Sequence, residues 1–175
     1  MVRRFVIIIL IFMGCLVALR AYTSYLPDYG LEKWWKVLII EIPIHKNIHL
    51  ISERDAHENA NKFLFLDART WNEYLISHIS HAQFTGIKNF DISEMSKVPK
   101  ETPIIVYSSI GIRSDELALK LNHAGYTNVQ NLYGGIFEWL NSGYTIVNKQ
   151  NTPTKNIHGG SHLLFFWKLK GNRFY

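Results

Sequence analysis

The 175-residue sequence predicts an α/β domain built on a mainly parallel sheet covered on both faces. Two observations carry this. Short, fully apolar runs such as 63–66 (Phe-Leu-Phe-Leu) and 104–107 (Ile-Ile-Val-Tyr) have no alternation of polar residues, so both of their faces are buried. Segments of helical character separate these runs, and strands that alternate with helices give parallel pairing. Hydrophobic residues make up 47% of the chain and charged residues 19%, the balance of a globular protein and not of a disordered one.

The chain opens on Arg3 and Arg4, followed by an uninterrupted apolar stretch over 5–19 and then Arg20. As a helix this stretch spans about 22 Å at 1.5 Å per residue, somewhat short of a hydrocarbon core of roughly 30 Å. Ala21 and Tyr22 extend it. Residues 1–22 are therefore expected to be a signal anchor. The alternative is a lipoprotein-type signal, because Met13-Gly14-Cys15 places a cysteine after a small residue. Either leaves the remainder on the extracytoplasmic side of a membrane, periplasmic in a bacterium, by the positive-inside rule. Residues 23–43 read as a linker containing Pro27 and Gly30, then an amphipathic helix in which Leu31, Trp34, Trp35, Leu38 and Ile42 share a face. Pro43 stops that helix.

A domain is expected over 44–147. It begins with a strand at 48–51, and Ser52 with Asp55 caps the helix that follows. A buried strand at 63–66 leads to Asp67, and 71–77 reads as a helix. The strand at 104–107 runs into a loop with Gly111 and a helix over 114–124, ended by Gly125. The last strand, 129–132, precedes Gly134-Gly135 and a helix reaching Leu140. Residues 148–175 read as a basic, aromatic tail. Lys149, Lys155, Lys168, Lys170 and Arg173 lie there with no acid, and this accounts for the whole formal charge of +5. The core is electrically balanced, so a nucleic-acid-binding face is not expected. The apolar run from Leu163 to Trp167 presses either on the domain or on a membrane.

Three groups of residues fall at the C-terminal ends of strands, where open α/β sheets place their sites. The first is Asp67-Ala68-Arg69, with Glu73-Tyr74 and His78-Ile79 after it. The second is the loop Ser108-Ser109-Ile110-Gly111-Ile112-Arg113, between a buried strand and a helix N-terminus. The third is Gly134-Gly135-Ile136 with Trp139. A loop of the second kind turns backbone N–H groups inward, and the helix dipole adds positive potential there. Arg113 is placed to close the ring and pair with a bound anion.

Taken together, these motifs resemble the rhodanese family over roughly 44–147. Asp67-x-Arg69, Glu73-Tyr74, His78-Ile79 and Ala82 look like one of its signatures. Ser108 to Ser114 is similar to its active loop, and Gly134-Gly135 with Trp139 to its last helix. The resemblance implies a three-layer α/β/α domain around a five-stranded parallel sheet. It also implies that the loop's first position is the cysteine that carries a sulfane sulfur, and here that position is Ser108. The six-residue loop has the family's sulfurtransferase length, so a bound anion would be a small sulfur oxyanion. Asp67, Arg69 and His78 are implied as supporting residues that tie loops together. Glycine usually precedes the histidine and Pro-Gly usually precedes the alanine, whereas this chain has Ser77 and Ser80-His81.

A hydroxyl forms no persulfide, and Cys15, the only cysteine, lies in the apolar N-terminal run. The expected function is therefore a membrane-tethered, non-catalytic module that binds an anion or a protein partner. The alternative keeps chemistry on the same loop, as a sulfurtransferase or as a serine-dependent hydrolase using His78 or His123 as base. No cofactor is expected. The pairs His45/His49 and His78/His81 lack a third ligand, so no metal is expected either.

Overall fold

The computed structural model describes residues 48–160, 164, 167 and 169–175. The expected anchor at 1–22 and the amphipathic segment at 23–43 lie outside the described residues. Among the described residues no helix is long and apolar enough to cross a membrane.

The central sheet has five parallel strands. β1 (His49–Ile51), β2 (Leu64–Asp67), β4 (Gln83–Phe84), β5 (Ile104–Tyr107) and β6 (Val129–Leu132) lie in the order β1-β6-β5-β2-β4. β2 and β5 run in register from Leu64 opposite Ile104 to Asp67 opposite Tyr107. Asp67 and Tyr107 therefore end their strands side by side, and the loop after Tyr107 begins at the level of the Asp67 carboxylate. Among the described residues the α-helices are α1 (Glu53–Glu58), α2 (Trp71–Ile76), α3 (Ile112–His123) and α4 (Gly135–Asn141).

The two faces of the sheet are covered differently. On one face Leu66, Ile104 and Val106 pack with Leu117, Ala118 and Leu121 of α3. On the other, Phe65 meets Trp139 of α4 edge-on, with ring centroids 5.9 Å apart. Burying apolar area at about 25 cal/mol per Å² makes these contacts the main source of stability.

Local signals account for most helix starts. Ser52 caps α1 by accepting from the Asp55 N–H. Thr70 caps α2 in a reciprocal box with Glu73. α3 begins two residues before the expected Ser114, because Gly111, at φ +96°, turns the chain directly into it with no side-chain cap.

Residues 148–175, expected as a tail, belong to the same compact unit as the rest of 43–175. β7 (Ile146–Val147) pairs antiparallel with both β3 (His78–Ile79) and β8 (Pro153–Thr154). β9 (Asn156–His158) pairs in parallel with β10 (Asn172–Phe174). Ile157 is fully buried, and Trp167 is 5% exposed beside Phe137.

Candidate functional site

The six-residue loop leaves β5 at Ser108 and enters α3 at Ile112. Its head is buried: Ser108 is 1% exposed, Ser109 2% and Ile110 5%. Ile110 is buried in the core, whereas Ile112 is half-buried.

Ser108 Oγ sits inside the loop. It accepts from the Gly111 N–H at 3.1 Å and lies 3.3 Å from Ser114 Oγ. The Ser114 hydroxyl has one proton to share among Ser108 Oγ, Gly111 O at 3.0 Å and Asn131 Oδ1 at 2.8 Å. Asn131 Nδ2 donates to Gly111 O at 2.8 Å, so this buried amide of β6 holds the loop from below.

The loop is also held from the side. Its first two carbonyls, Ser108 O and Ser109 O, accept from the N–H groups of Ile136 and Phe137 in the first turn of α4. That approach explains Gly135, at φ +57°. A Cβ there would lie 2.2 Å from Ser108 O, so only glycine lets α4 dock on the loop.

Arg113 does not turn into the ring. Its Nη1 donates to Glu73 Oε2 at 2.8 Å, and its Nη2 donates to Glu73 Oε1 at 2.6 Å and Ser109 Oγ at 2.8 Å. Glu73 also accepts from Ser109 Oγ at 3.0 Å, Thr70 N at 2.9 Å and Thr70 Oγ1 at 2.8 Å. Burial works against ionising this carboxyl. The hydrogen bonds and charge of Arg113, with Thr70, prevail and bring its pKa down to about 2. The cation expected to meet an anion is thus paired with a carboxylate held in the charged form. In the sequence Glu73 stands out only within the Glu73-Tyr74 motif; the Thr70-x-x-Glu73 spacing signals a cap. The bond of Glu73 to Arg113, forty residues along the chain, carries no local signal.

Beside this cluster stands a second pair. Arg69 Nε and Nη2 donate to the two Asp67 oxygens at 2.9 and 2.6 Å, and Nη2 also donates to Ser77 O at 2.6 Å. Burial opposes the charge on Arg69, but Asp67 outweighs it and raises the Arg69 pKa above its ordinary value. Arg69 Nη1 and Ser77 Oγ are buried with no hydrogen-bond partner among the described residues. His78 is held by its own neighbours: Nδ1 lies 3.0 Å from Tyr74 O and the ring stacks on Tyr74 at 4.0 Å. None of these three residues is hydrogen-bonded to the loop 108–113, so they fix the frame around it.

Two further residues near the site had no signal in the sequence. His158 of β9 feels the charges of Glu73, Arg69 and Arg113, and burial holds it below its ordinary pKa. Gly160 lies against Ser109: a Cβ built on it would be 3.1 Å from Ser109 Oγ.

Comparison with known proteins agrees with this architecture. Residues 51–142 match the rhodanese-like domain family. A tRNA uridine(34) hydroxylase of Bdellovibrio bacteriovorus is 30% identical over 82 residues, which are 45% of this chain and 23% of that protein. A probable adenylyltransferase/sulfurtransferase of Mycobacterium tuberculosis is 30% identical over 87 residues, 49% of this chain and 22% of that protein. The chain thus spans less than a quarter of the length of these curated relatives. The solution structure of a rhodanese-like domain from Anabaena sp. superposes with a TM-score of 0.53 at 22% identity, covering 57% of this chain and 78% of that one, a likeness of fold alone. With its family match covering more than half of the sequence, the chain belongs to the rhodanese-like domain family.

Proposed function

We propose that this chain is a membrane-tethered rhodanese-like module that transfers no sulfur and acts by binding, either a small sulfur oxyanion at the loop or a protein partner. The observation that carries the proposal is Ser108 Oγ. It occupies the head of the loop, bonded to the Gly111 N–H and beside Ser114 Oγ. A hydroxyl at that place accepts no sulfane sulfur, and its proton is far less acidic than that of a thiol.

The hydrolase alternative needs a proton acceptor on Ser108. Among the described residues the groups bonded to Ser108 Oγ are an amide N–H and a hydroxyl. His78 is turned to Tyr74, and His123 ends the 12-residue helix whose first turn meets the loop. Neither geometry supplies a general base. The sulfurtransferase alternative lacks its sulfur, as Cys15 is the chain's only cysteine.

The pairing of Arg113 with Glu73 bears on the anion. Releasing the guanidinium costs the pair, so an oxyanion at this loop relies mainly on backbone N–H groups and the α3 dipole. Weak binding of thiosulfate is expected, with an affinity raised by Glu73→Gln, which frees the guanidinium.

The test compares the chain with its Ser108→Cys variant in thiosulfate:cyanide sulfur transfer. The parent is expected to be inactive and the variant to turn over. Turnover by the parent would end the non-catalytic proposal. If both are silent, the oxyanion version falls and binding to a protein remains.

A further inference from the structure

Ser109 lies at the mouth of the loop, between Glu73 and Arg113, yet only 2% of it is exposed. The chain that covers it comes from the C-terminal segment. Gly160, at φ +70°, sits so close that a Cβ would fall 3.1 Å from Ser109 Oγ and 3.5 Å from Ser109 Cβ. β9 packs along α2, the helix that presents Glu73, and brings His158 within reach of the Glu73 and Arg113 charges.

The segment is anchored away from the loop. Ile157 is fully buried, the Gly159 N–H donates to Phe174 O at 2.7 Å, and the Lys170 N–H donates to Asn141 Oδ1 at 3.0 Å. Arg173 ties the segment to itself by donating to Leu164 O at 3.2 Å and to Trp167 O. Over the loop the contact is of another kind. Among the described residues no hydrogen bond joins 158–160 to 108–113. The loop's side chains are satisfied without the segment: Ser109 Oγ bonds to Glu73 and Arg113, and Ser108 Oγ to Gly111. Lifting the segment therefore costs van der Waals contact with the loop and, at its base, the Gly159 N–H bond to Phe174 O, and leaves no polar side chain of the loop unpaired.

We infer that residues 158–160 form an autoinhibitory cover over the Ser108–Arg113 loop, so that access to Ser109 requires them to lift while the sheet stays folded. The inference holds whether the loop transfers sulfur or only binds. Its test uses neither activity nor an anion, so the two can fail separately.

The probe is the rate of alkylation by iodoacetamide of a thiol at the covered position, in the full chain carrying Ser109→Cys with Cys15→Ser. Covered, this thiol is expected to react at least tenfold more slowly than after unfolding in urea. Adding Gly160→Val, which drives a branched side chain onto position 109 at an unfavourable φ, is expected to raise the native rate tenfold or more with a cooperative urea transition retained. Should that variant not fold, Arg173→Ala loosens the segment by removing its anchor, and the same rise is expected. Native reactivity equal to that of the unfolded chain overturns the inference. So does an unchanged rate in the folded cover variants.

Discussion

Glu73 receives five donor contacts from Thr70, Ser109 and Arg113 and is 3% exposed, so its carboxylate is both buried and fully committed. Its pKa of about 2 lies below an ordinary value of 4.5. A depressed carboxylate contributes stability that is complete above its unfolded pKa and is lost as pH falls through the folded one. At about 1.4 kcal/mol per unit, the group contributes roughly 3 kcal/mol at neutral pH. Urea midpoints measured from pH 7 down to pH 2 should therefore separate the parent from Glu73→Gln. The parent is more stable above about pH 5, and the two curves approach each other toward pH 2. A second residue-scale expectation concerns His81, which adopts φ +62° at the position where the family resemblance implies glycine. The left-handed region costs an L-residue about 1–2 kcal/mol, against roughly 0.5–1 kcal/mol of extra chain entropy for glycine. His81→Gly should raise stability by about 0.5–1 kcal/mol in urea unfolding. Ser77 is a different case. Its φ of −167° is ordinary extended backbone, so serine sits there without backbone strain.

At the scale of elements, the strands legible in the sequence were those of three or four residues in the central sheet. The expected 104–107 coincides with β5, since a run of apolar residues closed by polar ones needs no tertiary information, and 129–132 coincides with β6 although Gln130 and Asn131 interrupt its apolar character. β3, β4 and β7 have two residues each and exist because a partner strand lies alongside them. Gln83-Phe84 carries no period of its own. Within the site, the loop between a strand and a helix was legible from local residue types, while Asp67 and Arg69 came with the resemblance. Asn131 under the loop and Glu73 across from Arg113 were not legible, because both act over long separations in sequence. The segment after 147 was missed for a similar reason: β9 buries one side chain, Ile157, and its neighbours are polar. Ile157, with Trp167 beside Phe137, makes the segment structural. Ile157→Ala should cost about 2–5 kcal/mol by urea denaturation, whereas Phe174→Ala, at a half-exposed position, should cost less than 1 kcal/mol. Equal, small effects would return the segment to the status of a solvated tail.

For the whole molecule, the positive charge is not spread over a free tail. Lys155 and Arg173 flank and form the β9–β10 ribbon, and Arg173 is occupied with carbonyls of its own segment. The membrane attachment proposed for residues 1–22 consequently rests on the apolar stretch at 5–19 and its flanking arginines. Expressed in bacteria, the full chain should sediment with membranes and resist extraction by alkaline carbonate. A chain starting at Leu31 should stay in the supernatant. Recovery of the full chain in the supernatant would remove the tether from the proposal.

The hydroxyl of Ser108 also bears on survival under oxidative stress. A persulfide-carrying thiol is the part of a sulfurtransferase that peroxide attacks, passing through sulfenic to sulfinic and sulfonic acids. From residue 16 to residue 175 this chain has no thiol at all. The loop therefore keeps its shape and its hydrogen bonds in an oxidising compartment as in a reducing one, and no reductase is needed to maintain it. On the proposed reading, the hydroxyl that carries no sulfur also carries no chemical vulnerability.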